Sequence, residues 1–169
     1  KRCNPLAAWQ TEVVDLSAYA SQTIDIQIAV VTGSGSTTAG EFEIDDVAVA
    51  GNCTYACYRD NFDTDGVASW AKVSTEPAKF KTWAASNVAS HSPDYSAYVF
   101  HDNTVTEQKL AKMTSAAAFE VPVTGATLTY WANLFIQNPP CLEGHNFLVR
   151  AIEQIGSTNV VADLAGDKD

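Results

Sequence analysis

Residues 41–53 read EFEIDDVAVAGNC, and the placement of apolar residues in that stretch decides the fold. Phe42 and Ile44 share one parity, while Val47 and Val49 share the other. Successive strand side chains point to opposite faces, so a row facing the core must keep its parity. The row changes parity only where an extra residue is inserted, and here the switch falls at Asp45-Asp46. The sequence predicts a half-buried strand with a β-bulge at that pair, which re-aims one carboxylate.

The same period of two recurs outward from this stretch. Ile24, Ile26, Ile28 and Val30 alternate with Asp25, Gln27 and Ala29, and TGSGSTTAG (32–40) is a loop before the next strand. Further strands are expected at 97–100, at 119–123 before a turn at Thr124-Gly125, at 128–135, at 147–151 and at 159–164. Asn138-Pro139-Pro140 ends the strand at 128–135, because proline has no N–H for a ladder. Thr106–Ala118 (TEQKLAKMTSAAA) is rich in helix formers, with Leu110, Met113 and Ala117 on one helical face. A short helical turn and a strand are both compatible with it. Many short strands and no βαβ rhythm predict an all-β fold, an antiparallel two-sheet jelly-roll sandwich.

The 169 residues are 46% hydrophobic and 18% charged, a composition that builds a core. A net charge of −10 with scattered basic residues excludes a nucleic-acid surface. No run of apolar residues is long enough for a membrane helix, so membrane insertion is not expected. The only methionine is Met113, and the chain is expected to be a piece of something longer. Four cysteines, Cys3, Cys53, Cys57 and Cys141, suit an oxidising compartment. Local spacing favours Cys53–Cys57 with Cys3–Cys141 among three possible pairings, although sequence alone leaves the pairing open. Asn52-Cys53-Thr54 fits the N-glycosylation pattern.

Two groups of motifs carry a family resemblance. Trp9-Gln10-Thr11, Val14-Asp15-Leu16-Ser17-Ala18-Tyr19-Ala20, Gln22-Thr23-Ile24 and Ile44-Asp45-Asp46-Val47 resemble the closing third of MAM-like and cleaved-adhesin jelly rolls of secreted proteins. Asn61-Phe62-Asp63, Trp70 and Leu128-Thr129-Tyr130-Trp131 resemble their opening two-thirds. In the family the opening comes first; here the closing segment precedes it. The resemblance divides the chain into closing strands (1–53), a linker seam (54–60) and opening and central strands (61–169). Residues 1–53 are then expected to complete a sandwich with 61–169, in one repeat of a tandem array, within a permuted chain, or in a neighbouring subunit.

The resemblance also implies a calcium ion between the closing strand and the opening loop, with Asp45, Asp46, Asp60, Asp63 and Asp65 as ligands. Asp63-Thr64-Asp65-Gly66 has the alternate carboxylates of such a loop but not the full EF-hand pattern. A solvated Asp-Gly turn is the alternative. His91, His101 and His145 lie in polar loops without a nucleophile elbow and are expected to be surface residues, so no enzyme is expected. Cys141, beside two prolines, is a disulfide partner rather than a nucleophile. Trp9, Trp70 and Trp131 match core positions of the family, which leaves Trp83 and Tyr95 as a possible ligand face. Taken together, the sequence is expected to encode a secreted, calcium-stabilised, non-catalytic sandwich. Its partners would be neighbouring copies of itself in a fibre or filament. The alternative is a module of a secreted enzyme that binds glycans or cell-surface proteins.

Overall fold

The computed structural model describes residues 8–32, 40–53, 57–75, 78, 81–101, 109–115, 117–136, 146–155 and 158–166. Cys3, Cys141, His145 and Asp102 lie outside these residues, as does the Cys3–Cys141 pairing. The described chain forms two antiparallel sheets around one core. The first sheet has the order β1 (Gln10–Asp15), β10 (Ala126–Ile136), β3 (Gly40–Gly51), β7 (Ser96–His101), β6 (Ala84–Ser86), with β4 (Tyr58–Asp60) also on β3. The second has the order β12 (Thr158–Gly166), β11 (Asn146–Ile155), β2 (Thr23–Thr32), β8 (Lys109–Ser115), β5 (Trp70–Ser74), with β9 (Phe119–Glu120) also on β2. The sheets meet through side chains such as Tyr130 of β10 and Phe147 of β11, whose rings lie 6.2 Å apart.

Strands from the first 53 residues are the middle strands of both sheets. β3 is flanked by β10 on one side and by β7 and β4 on the other. β2 is flanked by β11 on one side and by β8 and β9 on the other. The sandwich is therefore completed within one chain. Cys53 and Cys57, which lie between β3 and β4 in the chain, form a disulfide with Cα atoms 5.7 Å apart.

The two middle strands share a second feature. Each is paired on one side by two short strands in succession, which leaves a gap in the ladder. In the second sheet the gap lies between Ile24 and Gln27, and the Ser115 hydroxyl accepts the Ile26 N–H at 3.1 Å. In the first sheet it lies at Asp45-Asp46, between the β7 pairing (40–44) and the β4 pairing (47–49). A buried backbone group without a partner is costly, so each gap demands a side chain that completes the ladder.

The β-bulge is where the parity switch puts it. On β10 only Tyr130 lies between Thr129 and Trp131, while Asp46 and Val47 both lie between their partners Asp45 and Ala48. Asp46 has φ 49°, the left-handed region that favours glycine. Phe42, Ile44, Val47 and Val49 are consequently all buried.

Residues 109–115 are strand and not the helical turn that their composition allows. Leu110, Ala111 and Met113 sit in β8 between β2 and β5, where ladder bonds on both sides and burial of Met113 outweigh a modest helix propensity.

Candidate functional site

The ladder gap at Asp45-Asp46 gathers a cluster of buried polar contacts. Asp45 has no exposed surface, yet its carboxylate accepts from four donors. These are the backbone N–H groups of Asp46 (2.7 Å), His91 (2.9 Å) and Ser92 (2.9 Å) and the Ser92 hydroxyl (3.2 Å). Burial pushes its pKa above the ordinary aspartate value, and the Ser92 and Asp46 N–H groups pull against that shift. Because the bulge turns the two neighbours to opposite sides, Asp46 reaches a different partner: its Oδ2 lies 2.8 Å from His91 Nδ1.

The His91 ring meets two tryptophans, Trp131 of β10 and Trp9 just before β1. It stacks on Trp131 with centroids 3.6 Å apart and planes 11° apart, and it meets Trp9 edge-on at 6.3 Å. Trp131 pairs with Asp45 across β10 and β3, and Thr11 pairs with Trp131 across β1 and β10. The side chain of His91 is 31% exposed, and its Nε2 has no hydrogen-bond partner among the described residues. Ser92 gives its hydroxyl hydrogen to Asp45 rather than to the imidazole, so no nucleophile–base pair is assembled there. The chemistry of this cluster is that of a clasp. It fastens the segment 87–95 across the bulge, and a His91→Ala variant is expected to lose about 1–2 kcal/mol in urea denaturation, from one ring stack and one half-exposed hydrogen bond.

The same segment reaches the opening loop. Tyr95 N–H donates to Asp63 Oδ1 at 3.0 Å, and Asn61 Nδ2 donates to Asp63 Oδ2 at 2.7 Å. Asp60 accepts from Phe62 N–H (2.8 Å), the Ser69 hydroxyl (2.9 Å) and the Trp70 indole (2.7 Å), which shapes residues 61–69 into a closed loop. Phe62 adopts φ 60° under that constraint and is fully buried. Gly66 has φ 61°, and a Cβ there would lie 2.7 Å from the Ala85 Cβ, so only glycine fits. The loop borders a groove of about 340 Å³ with a mixed polar and apolar lining that includes Arg59, Thr64 and Asp65.

The five acids expected to bind calcium thus fall into two groups joined by residues 91–95. Asp45 and Asp60 fit a cation poorly, since both oxygens of each accept from N–H or O–H donors that a cation would displace. Asp46 and Asp65 keep oxygens without hydrogen-bond partners among the described residues, and Asp63 accepts one bond at each oxygen. No three His, Cys, Asp or Glu among the described residues are grouped as a metal-binding set.

The aromatic residues are distributed differently from the sequence expectation. Trp83 is 1% exposed and one of the largest fully buried side chains, so it is not part of a ligand face. The strand after it, Ala84-Ala85-Ser86, has no large side chain, and Trp83 supplies the apolar bulk at that edge of the sandwich. Tyr95 is 39% exposed, as a ligand face requires. Trp70 is core, as expected, whereas Trp9 and Trp131 are half-exposed around His91.

A row of acids continues from the site along the outer side of β3. Glu43 is buried, accepts from Asn133 Nδ2 at 2.8 Å, and has its pKa raised by burial, with the Glu41 charge adding to the shift. Tyr98, opposite Glu43 on β7, is pushed up to about 12 by burial and by the charges of Glu41 and Glu43. A carboxyl whose folded pKa is raised binds its proton more tightly in the folded than in the unfolded chain. Between the unfolded value, about 4.3, and the raised one, stability therefore falls as pH rises. Lowering the pH from 7 toward about 4.5 is expected to raise the melting temperature, and Glu43→Gln is expected to flatten that profile. Calorimetry across the pH range checks both.

The site defines a class by its construction: a two-sheet sandwich whose middle strand carries a bulged Asp-Asp pair clasped by a loop histidine. In comparison with known proteins, no family model, no curated protein and no solved structure matches this chain.

Proposed function

We propose that this protein is an extracellular structural or adhesive β-sandwich, without catalytic activity, that associates with copies of itself. The observation that supports this reading most directly is the state of the sheet edges. Among the described residues, three strands paired on one side only carry an exposed valine: Val13 on β1 (66%), Val73 on β5 (49%) and Val161 on β12 (51%). An edge strand offers unpaired N–H and C=O groups to another chain, and apolar side chains on it favour such pairing. The disulfide agrees with an oxidising, secreted setting. The resemblance to MAM-like and cleaved-adhesin modules points the same way. So does the engagement of Asp45, Asp60 and His91 in holding loops.

Sedimentation of the native protein over a range of concentrations tests the reading. Concentration-dependent multimers that Val13→Lys and Val161→Lys disperse are expected; a monomer at every concentration rejects self-association. The calcium ion implied by the resemblance belongs to this proposal through Asp46, Asp63 and Asp65. A site held at 100 times its Kd adds about 2.7 kcal/mol. A melting temperature unchanged by chelator removes calcium from the reading.

A second reading, a glycan-binding module, is favoured by the groove beside Asp65, whose lining mixes hydrogen-bonding and apolar groups.

A further inference from the structure

The groove lies where β4, the 61–69 loop and Ala117 come together, and its volume of about 340 Å³ is at the lower end of the range for small-ligand sites. Asp60 forms part of its wall but has no capacity left, because three donors from the protein occupy its oxygens. The groups that remain available around it are of mixed kind. Arg59 supplies a guanidinium fork and Asp65 a carboxylate, and neither has a hydrogen-bond partner or ion pair among the described residues. Asn61 gives its amide hydrogen to Asp63, which fixes the side chain and leaves its carbonyl oxygen as an acceptor. The Ser69 hydroxyl gives its hydrogen to Asp60 and keeps its lone pairs, and the Thr64 hydroxyl is exposed at the rim. Burial and the charges of Asp60 and Asp65 raise the Tyr58 pKa, so its phenol remains a donor at neutral pH.

These groups discriminate among ligand classes. An anion meets Asp65 and a cation meets Arg59, and the lining sets Tyr58 and Ala117 beside the charged and amide groups, so a wholly apolar ligand would cover the former but leave the latter unpaired. A neutral ligand with several hydroxyls fits the set, because each hydroxyl both donates and accepts. Vicinal hydroxyls can bond a carboxylate and a guanidinium at once, and charge-assisted bonds of this kind are the stronger ones. We propose that this groove binds a neutral sugar unit of a glycan, with Arg59 and Asp65 as its principal hydrogen-bonding groups.

The site deepens the adhesive reading, since it names what the module holds. Its test is separate from self-association. The soluble protein, at a concentration where it sediments as a single species, is titrated with neutral monosaccharides (glucose, galactose, mannose, N-acetylglucosamine) and with sialic acid and glucosamine, followed by two-dimensional NMR. The titration is repeated with calcium and with chelator. The expected result is saturable shifts at Asn61, Thr64 and Asp65 with at least one neutral sugar. Asp65→Ala and Arg59→Ala should each weaken binding about tenfold, the cost of one lost charge-assisted hydrogen bond. Both residues are exposed, so the variants keep the fold, and an unchanged spectrum elsewhere verifies it. Shifts with the charged sugars alone, shifts confined to another face, binding untouched by both variants, or no binding by any sugar would each overturn the proposal.

Discussion

Replacing Asp45 with alanine is expected to destabilise the fold by about 3–5 kcal/mol. The carboxylate sits in the ladder gap of β3, with no exposed surface, and accepts three backbone N–H groups and one hydroxyl. Its loss strands donors that the surrounding structure buries, at about 1–3 kcal/mol for each one left unsatisfied. Water entering the vacated space recovers part of that, which sets the range below a simple sum. Asp45→Asn keeps one acceptor oxygen and should lie between the variant and the parent. The comparison with Asp46→Ala is the informative control. Among the described residues the Asp46 side chain holds the His91 ring alone and is partly exposed, so its loss, with the strain of an alanine at φ 49°, is expected to cost about 1–2 kcal/mol. Chemical denaturation of the three variants distinguishes a ladder-completing residue from an ordinary surface acid. Equal costs at positions 45 and 46 would show that the gap is not filled as described.

Parts of this site were legible in the sequence and parts were not, for reasons that particular residues make plain. The bulge was legible because the parity of Phe42 and Ile44 against Val47 and Val49 admits one place for an extra residue. Successive residues of a strand face opposite ways, which puts Trp131 on the face opposite Leu128 and Tyr130 of β10. The family resemblance nevertheless assigned it to the core, and the alternation was the better guide. His91 carried no signal, because it sits in an irregular segment without periodicity. Its position depends on hydrogen bonds to residues 45 and 46 positions earlier in the chain. Trp83 was misplaced for the converse reason: it precedes a three-residue strand too short to show a pattern, yet it is wholly buried. In residues 109–115 the local preference was real but weak, and pairing with β2 and β5 decided the conformation. What local sequence conveys is which face of a strand is apolar; which strands become neighbours is settled by the whole core.

A chain lacking residues 1–53 is expected not to fold, and this is the largest effect foreseen. The deletion removes β1, β2 and β3, so it takes the middle strand from each sheet and separates β10 from β7 and β11 from β8. It also removes ten buried apolar side chains between Val14 and Val49. At about 1.5–3 kcal/mol each, their loss matches or exceeds the 5–15 kcal/mol that stabilises a domain of ordinary size. The shorter fragment is expected to be equally unstructured alone, since β2 and β3 belong to different sheets and do not pair with each other. Mixed and refolded under oxidising conditions, fragments 1–53 and 54–169 should regain a dispersed NMR spectrum and a cooperative melt. Both sheets re-form by ladder pairing between the fragments, and the Cys53–Cys57 disulfide then joins them covalently beside the cut. Reassembly of this kind means that the peptide connection at 54–56 contributes only effective concentration to the fold. A cooperative, well-dispersed fold of 54–169 alone would contradict the topology. Failure of the mixture to refold, with the uncut chain refolding under the same conditions, would mean that the order of the segments is itself needed for folding.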